Sequence, residues 1–226
     1  MQSKEKMLME IGNALQQQYE KWQAKAKYKL SLDPTSDDLR RLCVNLRKVA
    51  RGDRLLFHYN GHGVPRPTEN GEIWVFAKHY THYMPVSVSD LRSWLGDPSI
   101  YVLDSSGSGA LIEHFVSTID ASNVSVSYSS VRNEEESSLS GRKFSSTCSN
   151  DDHCFVLASC RRNEILPFNP KYPADLFTSC LTTPVLIAIR WFIIQNPLSM
   201  GEINPDIASS IPGDVTDRKT PLGNDL

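Results

Sequence analysis

Two short stretches of this 226-residue chain hold residue types that could do chemistry together. In Leu55 to Pro65, LLFHYNGHGVP, an apolar run breaks into His62, flanked by Gly61 and Gly63. The next apolar run, Ile100 to Leu103, breaks into Asp104-Ser105-Ser106-Gly107-Ser108-Gly109. If the two runs are neighbouring parallel strands, an imidazole and a hydroxyl meet where the loops converge and no helix covers the edge. The glycines would allow close backbone approach, and Gly107 would offer an open amide to an oxyanion, which outlines a nucleophile and a base for acyl transfer. On sequence chemistry alone the same residues read more readily as a strand-end histidine beside loop serines. A serine needs strong activation by a base that an acid orients, and no orienting residue is evident.

Other reactive side chains fit a site less well. His58 and His62 are four apart and share a strand face, but zinc takes three or four ligands, and His79 and His82 in HYTHYMP bear no regular relation to that pair. Cys148, His153, Cys154 and Cys160 match no zinc module. Cys154 and Cys160 read as small hydrophobes on an apolar strand. Neither a metal nor a cofactor is expected. Ala158-Ser159-Cys160-Arg161 echoes the caspase nucleophile motif, whose histidine lies about 50 residues upstream. Ser106 follows His62 by 106 − 62 = 44 residues and Cys160 by 160 − 62 = 98, so Ser106 fits the order better.

The elements that would position these groups alternate between helix and strand. Met7 to Trp22 carries an apolar stripe at helical spacing, and the alternation Tyr28, Leu30, Leu32 suggests a strand closed by Asp33-Pro34. Thr35 with Asp38 resembles a capping box ahead of a helix through Leu39, Cys43, Leu46 and Val49. Arg54 to Tyr59 is a continuous apolar-aromatic run, too short for a helix and bounded by glycine on both sides, which points to a central strand of a parallel sheet. Ile73 and Val75 suggest a hairpin arm in front of a helix that starts at Ser87/Asp90 and stops at Gly96. Further on come a strand over Ile100 to Leu103, a helix over Ala110 to Ile119, and a strand over Cys154 to Ala158. Thr183-Pro184 reads as a hydroxyl cap and first-turn proline opening a helix to Gln195, apolar enough to be buried on most sides. Residues 122–150 turn to Ser, Asn, Glu and Arg, and are read as a disordered insertion. The order of elements gives an α/β class.

Composition narrows the partners. With 24 basic and 26 acidic residues the net charge is −2, too weak a field to favour nucleic acid or an anionic membrane. Five cysteines without dense spacing suit a reducing, cytoplasmic compartment. The first ten residues lack the apolar core of a signal peptide. Val185 to Ile194 is interrupted by Arg190 and falls short of the ~20 residues of a span, so no membrane insertion is expected.

HYNGHG followed by a strand ending in DSSGSG resembles the histidine and nucleophile loops of the caspase and metacaspase clan. Laying the metacaspase pattern DSCHSG on Asp104 to Gly109 puts the nucleophile position at Ser106. Longer segments, QQYEKWQAKAKYKLSLDPT, LLFHYNGHGVPRPTENGEIWVF, PADLFTSCLTTP and IPGDVTDRKTPLG, are similar to the N-terminal caspase-like domain of the Raptor family. The resemblance covers most of the chain outside 122–150. It implies a caspase-like three-layer α/β sandwich with a mostly parallel sheet, of which 1–226 would be a part, truncated at both ends. It also implies a non-enzymatic adaptor of TOR complex 1, which binds TOR kinase and presents protein substrates to it in nutrient-responsive growth signalling. No small-molecule ligand is implied, and the location would be cytoplasmic, with recruitment to the lysosome or vacuole surface. His62 and Ser106 would then be degenerate dyad positions with Gly61, Gly63, Asp104, Ser105 and Gly107 around them. The family usually has DCSNAG, so Ser105 stands for a cysteine and Gly107 for an asparagine. Two other readings stay open: a caspase-clan peptidase using His62 with Ser106 or a displaced cysteine, and a non-functional truncated product.

Overall fold

In the computed structural model, residues 4–79, 82–120, 154–167, 174–196 and 204 are described. The insertion at 122–150, with Cys148 and His153, and the proline-bearing tail lie outside them. The elements in chain order are α1 (Lys4–Trp22), α2 (Ser36–Ala50), β1 (Leu55–Asn60), β2 (Glu72–Phe76), β3 (Tyr83–Ser87), α3 (Val88–Leu95), β4 (Ser99–Asp104), α4 (Gly109–Asp120), β5 (Cys154–Ala158), α5 (Leu176–Thr182) and α6 (Pro184–Gln195). They fall into two compact units, 33–166 and 1–32 with 167–226.

In the 33–166 unit, three parallel strands run in the order β1-β4-β5, with Asn60 opposite Asp104 and Leu103 opposite Ala158. The central strand β4 is the most buried, as its unbroken apolar run requires. Leu55, Phe57 and Tyr59 of β1 share a face with Tyr101 and Leu103 of β4 and with Cys154 and Val156 of β5. That face packs against α2, α3, α4 and the hairpin through residues such as Cys43, Leu91, Leu111 and Ile73. The rings of Tyr101 and Phe115, both fully buried, stand 4.7 Å apart. Truncating a buried Phe of this kind costs ~3–5 kcal/mol. The other face keeps Leu56, Phe155 and Leu157 exposed, with the Arg54 guanidinium 4.7 Å from the Phe155 ring centroid.

The helix starts were written locally. Thr35 Oγ1 accepts the Asp38 N–H at 3.2 Å and its hydroxyl donates to Asp38 Oδ2 at 2.6 Å. These bonds, with the Arg41 guanidinium, hold the Asp38 carboxyl below the usual carboxylate range. Ser87 caps α3 in the same way, and Gly96 ends it at φ +65°. There Arg47 of α2 reaches across and donates to the carbonyls of Leu95, Asp53, Gly96 and Pro98 and to Ser99 Oγ, at 2.5 to 3.1 Å. One guanidinium therefore joins the end of α3 to the start of β4. The hairpin of β2 and β3 is antiparallel, Trp74 opposite Pro85, and forms its own small sheet. Only its first arm had been expected.

In the unit of 1–32 with 167–226, the expected strand at Tyr28, Leu30 and Leu32 does not form. The Tyr28 hydroxyl lies 2.8 Å from the carbonyls of Tyr19 and Gln23, and a Cβ on Gly12 of α1 would be 3.0 Å from Leu30 and 3.3 Å from Leu32. The alternation faces a helix, not a neighbouring strand. Asp175 caps α5, taking the Thr178 N–H at 3.0 Å. Helix α6 opens on Pro184 as read, but Thr183 makes no side-chain cap; its hydroxyl donates to Ser179 O at 2.9 Å and serves the end of α5. Burial of α6 is also one-sided: Ile187, Arg190 and Ile193 are buried, while Trp191, Phe192 and Ile194 are more than half exposed. Among the described residues, no helix is long and apolar enough to cross a membrane.

Candidate functional site

Parallel register brings the two reactive loops together. With Asn60 opposite Asp104, His62 and Ser106 each lie two residues past the matched ends of β1 and β4. The Gly61 N–H donates to Asp104 O at 2.7 Å and carries the ladder one step further. Glycine is required there: a Cβ would stand 2.7 Å from the Tyr59 ring and 2.8 Å from Ser105 Cβ, closer than real Cβ atoms come.

Asn60 organises the end of β1 through both ends of its amide. Its Nδ2 donates to Asp104 Oδ2 at 3.2 Å, and its Oδ1 accepts the His62 N–H at 3.1 Å. His62 is exposed, while Asp104 is fully buried. The same Oδ2 lies 3.6 Å from Nε2 of His58. Sequence reasoning found no acid to orient a histidine; the structure sets Asp104 beside His58, the histidine four residues earlier on the same face. The signal was the shared two-residue periodicity of His58, Asn60 and Asp104, legible only once the register of β1 on β4 is known. Tyr59, on the opposite face, donates its hydroxyl to Trp74 O at 2.8 Å and ties the hairpin to the sheet. Burial pushes that phenol well above its ordinary pKa.

The loop that follows β4 is engaged from the side of β5. Ser106 Oγ accepts the backbone N–H of Leu166 at 3.0 Å. The Gly107 N–H, expected to be open, donates to Glu164 O at 2.9 Å and also lies 3.1 Å from Cys160 Sγ. Gly107 adopts φ +72°, a conformation that favours glycine, and a Cβ would be 3.0 Å from Arg162 O. Cys160 is not on the strand: β5 ends at Ala158, and the thiol lies within 3.4 Å of Ser105 O. The charged run Arg161-Arg162-Asn163-Glu164 directly after Cys160 was the sequence sign that the strand had ended. Ser159 completes the joint, with Oγ 3.2 Å from both Ser105 N and Ser108 Oγ.

The loop after His62 is fastened to α4. Arg162 pairs with Glu69 and, at 2.8 Å, with Glu113, while Glu69 O lies 3.0 Å from His114 Nε2. Gly71, at φ +75°, lies over the His114 ring so closely that a Cβ would be 2.3 Å from Cγ. Among the described residues, no group of three His, Cys, Asp or Glu could hold a metal ion. Ser106 Oγ and the neighbouring Gly107 amide are thus both engaged by the chain's own backbone.

Comparison with known proteins places the chain in a family. A family model described as the Raptor N-terminal CASPase like domain matches residues 1–115. The rice protein "Regulatory-associated protein of TOR 2" is 45% identical over 218 residues, covering 96% of this chain and 14% of the relative. The fission yeast "Target of rapamycin complex 1 subunit mip1" is 44% identical over 220 residues, covering 96% of this chain and 16% of the relative. The crystal structure of Chaetomium thermophilum Raptor matches with a TM-score of 0.73 and 41% identity over 99% of this chain and 19% of that one. The chain thus spans less than a fifth of the length of these proteins.

Proposed function

The chain belongs to the Raptor N-terminal caspase-like family, and from that premise we propose that it acts as a non-enzymatic regulatory adaptor in TOR complex 1. Relatives named as a regulatory-associated protein of TOR and as a TOR complex 1 subunit support this reading. A local observation supports the non-enzymatic part: Ser106, which the caspase-clan pattern sets at the nucleophile position, has its Oγ on the Leu166 N–H, and the Gly107 amide is on the Glu164 carbonyl. His62 and Ser106 are then remnants of a dyad in a domain that binds. Its partners are TOR kinase and the protein substrates it helps recruit in nutrient-responsive growth signalling. It works in the cytoplasm, with recruitment to the lysosome or vacuole surface as part of the complex.

The test is capture from lysate on the immobilised 226-residue chain, read by immunoblot for TOR kinase and for its known substrates. Both the parent and His62→Ala are expected to retain them. Capture of neither sinks the adaptor role for this chain. Turnover of a peptide library that His62→Ala abolishes would replace it with the peptidase reading.

A further inference from the structure

Residues 160–166 follow β5 and return to the loop that follows β4. The Glu164 carbonyl takes the Gly107 N–H at 2.9 Å, and two residues later the Leu166 N–H donates to Ser106 Oγ at 3.0 Å. Glu164 closes a turn on Arg161, its N–H donating to the Arg161 carbonyl at 3.1 Å and its carboxylate accepting the Arg161 N–H at 2.8 Å. Ile165, between the two bonding residues, is 65% exposed. The absence of a Cβ at Gly107 leaves room for the Arg162 carbonyl, which would otherwise be 3.0 Å from it.

We infer that Glu164 to Leu166 is an internal strap over Ser106 and Gly107, latched by Arg162, and that Ser106 becomes accessible only when the strap opens. The latch is Arg162 between Glu69, on the loop that follows His62, and Glu113 on α4. These partners are 77% and 63% exposed and Arg162 is 41% exposed, so the pairs are weak and sensitive to salt. A strap held by two backbone bonds and a screened ion-pair fork is suited to opening. Opening of the strap can be measured without any partner.

Ser106→Cys in a Cys160→Ser background places a thiol where the strap should shield it, and iodoacetamide labelling of that position, read by mass spectrometry of the peptide, reports opening. Labelling should be slow, and adding Arg162→Glu, which repels both Glu69 and Glu113, should raise the rate by about tenfold, the scale of losing one or two net hydrogen bonds. Arg162→Ala should give an intermediate rate that salt leaves unchanged, whereas in the latched parent the rate should rise with salt. Buried Cys43 and Cys154 must stay unlabelled, which shows that the core is intact; if Arg162→Glu exposes them, Arg162→Ala and the salt series decide. Rates within about twofold across the Arg162 variants that keep the core closed would overturn the latch. Because no TOR component is present, this failure is separable from failure of the capture experiment.

Discussion

Replacing Arg47 removes one side chain and loosens four segments at once. Its guanidinium donates to carbonyls at the end of α3, in the turn before β1 and just before β4, and to the Ser99 hydroxyl. Two of those carbonyls, Leu95 and Gly96, belong to the α3 C-terminus, where orphan acceptors and the negative end of the helix dipole favour a cation. A hydrogen bond from a charged donor is worth ~1.5–3 kcal/mol, but Nη2 has two protons for three acceptors and the residue is only half buried, so the contacts do not add. We expect Arg47→Met, which keeps the aliphatic stem, to lose about 3–4 kcal/mol out of a total of ~5–15 kcal/mol. At ~2–4 °C per kcal/mol for a chain of this size, the melting temperature should fall by roughly 6–16 °C. Arg47→Lys should lose about 2 kcal/mol, because an ammonium cannot reproduce the planar fork. Urea unfolding followed by circular dichroism gives both numbers. An Arg47→Met protein within about 0.5 kcal/mol of the parent would show that water satisfies these carbonyls equally well, and the joint would then be incidental.

Gly71→Ala should cost ~2–4 kcal/mol in the same assay, from its φ of +75° and the overlap with His114, and His114→Ala should recover part of that loss; an effect below about 1 kcal/mol would contradict the packing. Burial pushes the Cys43 and Cys154 thiols from 9.0 up to about 11, so their neutral forms are favoured in the folded state. That contribution is full below the ordinary thiol pKa and is lost as pH rises through the raised folded value. Stability should therefore decline between pH 9 and 11, less so in Cys43→Ala/Cys154→Ala compared with its own neutral-pH value, and equal declines would exclude the thiols as the cause. Asp38 shows the opposite sign: its folded pKa is depressed, by Thr35 first and then Arg41, so its contribution is present above the ordinary carboxylate pKa and lost as pH falls through the lowered value. Its NMR titration midpoint should rise in Thr35→Ala, and an unchanged midpoint would remove Thr35 as the main cause.

What the sequence disclosed follows from the range of each interaction. Strands β1, β4 and β5 were legible as short continuous apolar runs, but β1, expected in the middle of the sheet, lies at one edge of the described order β1-β4-β5 with β4 at its centre. The caps at Thr35 and Ser87 were legible because each bond closes within three residues. Strand β3 was missed: HYTHYMP holds aromatics and a proline, and Pro85 is tolerated only because the hairpin is a separate two-stranded sheet. The false strand at Tyr28 to Leu32 came from an alternation that packing on α1 produces as well. In the candidate site, the juxtaposition of the His62 and Ser106 loops could be argued from strand-end logic. The Asp104–His58 approach needed the register, and Arg47 bonds residues 48 to 52 positions away. The contacts of Glu164 and Leu166 with the nucleophile loop are made by backbone atoms, which leave no mark in residue types.

The one-sided burial of α6 gives the chain an optical handle. Trp191 is 63% exposed and Trp22 of α1 is 59% exposed. Indoles so wetted emit at long wavelength, so the free chain should fluoresce toward the red and shift blue under any surface that covers α6. Trp191→Phe would subtract the α6 signal and show which of the two helices has been covered.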